Sequence, residues 1–218
     1  IDSMVMAWLF REAGIEYSIA HCNFSLRGDE SDGDEEFVAA YARTSSISFF
    51  SRRFDTMTYA GTHRISVQMA ARELRYDWFR SLIRSEGFDS VAVAHNLNDN
   101  VETFLINLSR GTGLHGLTGM SPRTGEIIRP LLFATREEIA SYASARGIDF
   151  REDRSNAEVK YIRNRIRHKV IPELEKVNPG ILAAVADTMK HLSSDSSLVD
   201  TYLSQLSGQL FTFSGDSA

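Results

Sequence analysis

Three features of this sequence predict an α/β fold built on a parallel twisted sheet. Strand-like and helix-like patterns alternate along most of the chain, the order that puts helices on both faces of such a sheet. Val91, Ala92, Val93 and Ala94 form a short apolar run with β-branched residues, read as a buried strand. Directly after it His95, Asn96, Asn98, Asp99, Asn100, Glu102 and Thr103 crowd into nine positions, and Phe104, Leu105 and Leu108 then recur at helical spacing. This reads as strand, polar loop and helix, and ligands of open α/β sheets sit outside the carboxyl ends of the strands. In the plainer reading of the same residues, Asn98 or Asn100 caps the helix and His95 is a turn histidine.

The remaining elements follow in order. Met4, Val5, Trp8 and Leu9 give a first helix its apolar stripe, with Gly14 as its stop. Tyr17 to His21 reads as a strand, with a loop from Asn23 to Arg27 at its carboxyl end. The acidic run Gly28 to Glu36 suits the positive end of the next helix dipole, the alternative being a metal site. Ile47, Phe49 and Phe50 suggest a strand, and Phe54 to Thr62 is loop-like. Ser66 to Glu86 is the longest helical pattern, with Met69, Leu74, Trp78, Phe79 and Leu82 for a core face and Gly87 as stop. Along it Arg72, Arg75 and Tyr76 lie close together, as anion ligands or as arginines pairing with Glu73 or Asp77. Ile127, Ile128, Leu131 and Leu132 flank Arg129 and Pro130 as a short edge strand or extended segment, because Pro cannot donate to a ladder. Thr135 caps a helix with Glu138 at the reciprocal position and Gly147 at its end. Asp153 to Asn156 is a turn, and Arg163, Arg165, Arg167 and Lys169 make a basic cluster, either an RNA or nucleotide contact or a solvated face. Pro172 and Pro179 punctuate a helical tail through Leu182, Val185, Met189 and Leu192.

Composition narrows the function classes. The net charge of −5 argues against a generally cationic nucleic-acid binder, so any such contact is local. The single cysteine, Cys22, excludes an intramolecular disulfide and any CxxC site, which fits a reducing cytoplasm. No apolar run is long enough to span a bilayer, and the first residues do not read as a signal peptide. Ile1-Asp2-Ser3 runs straight into a helical pattern, so residues upstream are expected to be missing.

Seven stretches then stand in one order: Ile1-Asp2-Ser3, HCNFSLRGDESDGDE from His21, AARELRY from Ala70, AHNLNDNVET from Ala94, SRGTGLHGLTGM from Ser109, IIRPLL from Ile127, and EDRSNAEVKYIRNRIRH from Glu152. Together they resemble the tRNA(Ile)-lysidine synthetases, members of the N-type ATP pyrophosphatase (PP-loop) superfamily. The likeness reaches to about Pro179. Phe24 and Asn96 replace histidines of that pattern, Asn98 an aspartate and Asn100 a glutamine.

The resemblance implies an adenine nucleotide α-hydrolase-like, Rossmann-like domain over residues 1–150, lacking its first strand and most of the SGGxDS loop. A basic segment and helical extension over 151–206 and a flexible end or linker over 207–218 would follow. It implies a cytoplasmic ligase that adenylates the wobble cytidine of an isoleucine tRNA with ATP and Mg²⁺, then joins free L-lysine to carbon-2. No membrane is involved, and a homodimer is one option. It assigns catalysis to Asp99, Glu102 and Arg75, and ATP or pyrophosphate to Asp2, Ser3, His21, Asn23, His95, Arg110 and Gly111. Lysine falls to Asp99 and Glu102, Mg²⁺ to Asp2 and Asp99, and tRNA or nucleotide phosphate to Arg72, Arg163 and Arg167. The triphosphate is expected at the sheet's carboxyl edge, between the helix starts at Asp2 and Asp99. Rivals are another N-type pyrophosphatase, thiolating tRNA or amidating a nucleotide, and a non-catalytic nucleotide or RNA module. Thiolating relatives generally use paired cysteines, and Cys22 is alone.

Overall fold

The computed structural model describes residues 1–151 and 162–210. In chain order its elements are α1 (Asp2–Glu12), β1 (Ile19–Asn23), α2 (Asp29–Thr44), β2 (Phe49–Arg53), α3 (Thr56–His63), α4 (Val67–Glu86), β3 (Val91–Ala92), α5 (Leu97–Ser109), α6 (Leu114–Leu117), β4 (Arg123–Thr124), β5 (Ile127–Ile128), α7 (Arg136–Arg146), α8 (Ile162–Arg165), a π-helical turn (Ile166–Val170), α9 (Ile171–Val177) and α10 (Ile181–Leu210). They form two compact units. The first draws its described residues from Ile1–Ala94, Arg123–Pro130 and Ile139–Glu152, the second from His95–Pro122, Leu131–Glu138 and Asp153–Ala218. Each is interrupted in sequence.

In the first unit β1 and β2 pair in parallel, as do β3 and β5, while β4 runs antiparallel to β5. The described strands thus form two small sheets of α/β type, one with an antiparallel member. β5 lies between β3 and β4, which corrects the expected edge strand; Pro130 falls just past the strand, where no ladder donor is needed. Phe54, Trp78, Phe79 and Leu82 make a core cluster against Cys22, Phe24, Phe50, Val91 and Val93. Met69, expected in that face, is instead 52% exposed.

Local chemistry explains the boundaries. Ser66 caps α4 by accepting from the Met69 backbone N–H, and Gly87 at φ +74° ends it in the left-handed conformation glycine adopts at little cost. The segment expected to be loop-like contains α3, because the Asp55 side chain accepts from the Thr58 N–H and so nucleates a turn. The acidic run opens α2, with Asp29, Glu30 and Asp32 in its first turn.

In the second unit Leu97, Val101, Phe104 and Ile106 of α5 pack with Ile166, Ile171, Val185 and Met189. α10 continues as helix through Leu210, beyond the point at Ser207 where a flexible end was expected. The expected turn Asp153 to Asn156 and residues 211–218 lie outside the described residues. Among the described residues no helix is long and apolar enough to cross a membrane.

Candidate functional site

The polar stretch after β3 is helix, not loop, from Leu97 onward. Its cap is neither Asn98 nor Asn100 but Asn96, which accepts from the Asp99 N–H at 3.0 Å while Asp99 accepts from the Asn96 N–H at 3.2 Å. This reciprocal box satisfies two backbone donors that the first turn leaves open. The other two asparagines tie neighbouring segments: Asn98 accepts from the Arg136 N–H at 2.8 Å and Asn100 from the Met120 N–H. Thr135 and Glu138 form the expected box at the start of α7.

One turn further along α5, Glu102 is completely buried. Arg167 grips it with one edge of its guanidinium, Nε to Oε1 at 2.6 Å and Nη2 to Oε2 at 3.0 Å. Arg163 brings its Nε to 3.5 Å from Oε2 and donates from Nη2 to the Thr103 hydroxyl at 3.0 Å. Arg167 also reaches Asp99 Oδ1 at 3.4 Å, and Arg136 approaches that same oxygen at 3.6 Å. Three guanidinium groups therefore converge on two carboxylates. A bidentate fork suits a buried carboxylate, whose charge is tolerated only when paired and hydrogen-bonded. Arg167 lies in the π-helical turn, a local widening that often marks functional positions. The basic cluster thus divides: Arg163 and Arg167 face the acids, while Arg165 and Lys169 are exposed.

Both Glu102 oxygens are held by arginine and shut off from solvent, an arrangement that orients Arg167. Asp99 has Oδ2 on the Asn96 backbone N–H and Oδ1 between the Arg167 and Arg136 guanidiniums, at 3.4 and 3.6 Å. Among the described residues no group of three or more His, Cys, Asp or Glu could hold a metal ion. Asp2, half-buried in the first turn of α1 with exposed Ser3 beside it, is compatible with a Mg²⁺ that keeps waters and binds largely through phosphates.

In the first unit, Asn23 at the end of β1 is buried, and its amide donates to Asp32 at 2.9 Å and Glu35 at 2.8 Å while its carbonyl accepts from the Ser25 N–H. It fastens the loop to α2, which leaves little for a nucleotide. Burial pushes the His21 pKa down against the opposing pull of Glu35 and Asp34. Arg72 and Arg75 have different surroundings: Arg75 lies over the Phe24 ring at 5.2 Å, and Arg72 over Tyr76 at 4.8 Å. Asp77 pairs with Arg80, and Glu73 accepts from the Tyr59 hydroxyl, so neither is the expected partner of Arg75. Arg72, Tyr76, Arg80 and Arg129 line a cleft of about 470 Å³. Burial raises the Cys22 thiol to about 11, although Arg75 pulls the other way. His95 is half-buried just beyond β3, Arg110 is exposed at the end of α5, and Gly111 follows at φ +71°.

Sequence reasoning gave Thr103 no role of its own within the polar stretch and passed over Arg136. Thr103 was legible as the residue four beyond Asp99, on the same helix face. Arg136 was hidden behind its neighbour's capping role.

Parallel strand pairs joined through helices make the first unit one of α/β type. Residues 1–174 match the family described as PP-loop domain, and the chain belongs to that family. Among curated proteins it is similar to the tRNA(Ile)-lysidine synthase of Bacteroides thetaiotaomicron, 41% identical over 98% of this chain and 50% of that protein. The corresponding enzymes of Porphyromonas gingivalis and Chlorobaculum tepidum are 45% and 39% identical, over 88% and 94% of this chain and 42% and 63% of theirs. The chain spans about half the length of the curated relatives it matches. Among solved structures, the U34-tRNA thiolase NcsA from Methanococcus maripaludis with its 4Fe-4S cluster superposes with a TM-score of 0.71 at 18% identity, covering 88% of this chain and 68% of that one. At that identity the likeness is one of fold.

Proposed function

We propose that this chain carries the catalytic part of an enzyme that joins free L-lysine to carbon-2 of the wobble cytidine of an isoleucine tRNA, at the expense of ATP. One observation carries the reading: the 41% identity to a tRNA(Ile)-lysidine synthase over 98% of this chain. The arginine-clamped acids of α5 support it, because the reaction moves negative phosphates and a cationic amino acid through one catalytic cycle.

In the first step the oxygen on carbon-2 of cytidine forms a bond to the α-phosphorus of ATP, and the bond to pyrophosphate breaks. Ser3 donates to pyrophosphate oxygens at the start of α1, where backbone N–H groups and the helix dipole favour anions. Asp2 would hold a Mg²⁺ accompanying the triphosphate, which would supply a counter-charge to the phosphates. Arg163 and Arg167, oriented by Thr103 and Glu102, present guanidinium edges to phosphate oxygens. His21, His95, Arg110 and Gly111 are carried over from the resemblance as ATP or pyrophosphate contacts, and Arg72 and Arg75 as contacts to RNA or nucleotide phosphate. In the second step the ε-nitrogen of lysine bonds to carbon-2, and AMP departs with the oxygen. Asp99 offers its Oδ1 to a cationic group of the amino acid. The net change to the RNA is one lysine less one water, in the cytoplasm where charged amino acid, ATP and tRNA meet.

A thiolating reading is weaker. Sulfur carriers of that kind use paired thiols, whereas this chain has one cysteine, whose thiol stays protonated at neutral pH. Product analysis tests the proposal: pyrophosphate release should require isoleucine tRNA and ATP, and AMP release should additionally require lysine. Pyrophosphate release that ignores tRNA would overturn it.

A further inference from the structure

We propose that Arg136 and Asp99 form a clamp for the head group of the amino-acid substrate, Arg136 taking its α-carboxylate and Asp99 its α-ammonium. This rests on the lysine-transfer reading above and adds to it a residue and an orientation.

Arg136 opens α7, and its backbone is fixed by the Asn98 side chain at 2.8 Å. Its Nη2 lies 3.6 Å from Asp99 Oδ1, a loose contact, and this is its only side-chain partner among the described residues. Its side chain is 35% exposed, against 15% for Arg167, which Glu102 already occupies with two bonds. Arg163 is 42% exposed but is engaged by Thr103 and by the fully buried Glu102, so Arg136, with one loose contact, is the arginine with open donors beside the more accessible carboxylate. An opposite-charge pair a few ångströms apart matches an α-amino acid, whose ammonium and carboxylate have the same spacing and reversed signs.

The clamp also settles a chemical conflict. A carboxylate against the ε-nitrogen would favour its charged, non-nucleophilic form. With Asp99 on the α-ammonium, the four-carbon side chain carries the ε-nitrogen away from that carboxylate, so it can lose its proton and attack carbon-2.

The test compares lysine with lysinamide, which lacks the carboxylate charge, in the full chain and in Arg136→Gln. We expect the lysine to lysinamide ratio of kcat/KM to fall at least tenfold in the variant, through the KM for lysine, with the KM for ATP within twofold of wild type. An unchanged ratio, or a rise in the ATP KM alone, overturns the clamp. Equilibrium dialysis of radiolabelled lysine on the wild-type chain gives a second reading that needs neither the variant nor tRNA chemistry. Lysine should displace the label at least tenfold better than lysinamide; equal displacement overturns the proposal. Because this arm involves no transfer, it reads the clamp separately from any failure of the lysine-transfer reaction.

Discussion

Glu102 and Asp99, one turn apart on the same helix, have different surroundings, and these separate what their substitution should do. Glu102→Gln removes the charge between Arg167 and Arg163 and leaves the largely buried Arg167 guanidinium facing a neutral amide in place of its closest counter-charge. We expect about 3–5 kcal/mol of lost stability, measured by urea denaturation, together with lost turnover. Asp99→Asn keeps an oxygen for the Asn96 N–H and so preserves the cap. It should unfold near the wild-type midpoint yet lose about 100- to 1000-fold in lysine-dependent turnover, the usual scale for removing a preorganised charge. A mild loss, less than about tenfold or roughly 1.4 kcal/mol, would remove Asp99 from contact with the reacting groups. Cys22 offers a check on the first unit: with its thiol raised to about 11, iodoacetamide at pH 8 should label it about a hundredfold more slowly than free cysteine.

At the scale of elements, α5 carries both the acids and part of the core, so its start and its apolar face should be separable. Asn96→Ala should cost about 0.5–2 kcal/mol through the lost cap. Phe104→Ala, in the cluster with Ile166 and Met189, should cost about 3–5 kcal/mol, both read as shifts in denaturant midpoint. Much of this layer was legible in sequence. Capping residues and left-handed glycines have local causes, so Ser66, Gly87, Thr135 and Gly147 marked real boundaries. Where packing decides, the sequence misled. The asparagine-rich stretch at 96–103 looked like a loop because asparagine, aspartate and threonine are weak helix formers, yet the Asn96 box and the burial of Leu97 and Val101 make it helix. Strand order is likewise a long-range property, so the central place of β5 left no trace in Ile127 or Ile128. The site shows the same limit: the acids were visible as a motif, but that Arg167 would occupy Glu102 from 65 positions away was not.

For the whole molecule, proton linkage gives a signed prediction. His21 has its pKa lowered on folding, so the unfolded chain binds the extra proton, and this contribution is present above about pH 6.5 and lost as the pH falls below it. Glu35 acts in the same direction at lower pH: burial raises its pKa, but hydrogen bonds from Ser51 and Asn23 and the charge of Arg53 outweigh it, and the net shift is downward. Stability should therefore fall between pH 7.5 and 5.5, and His21→Gln should flatten that fall; an equally steep fall in the variant would remove His21 from the account. The central claim is chemical, and mass spectrometry of an isoleucine tRNA transcript incubated with the chain, ATP, Mg²⁺ and lysine tests it most directly. The account predicts that one cytidine, at the wobble position, gains the mass of lysine less water; an unmodified transcript, or one carrying sulfur instead, would contradict it.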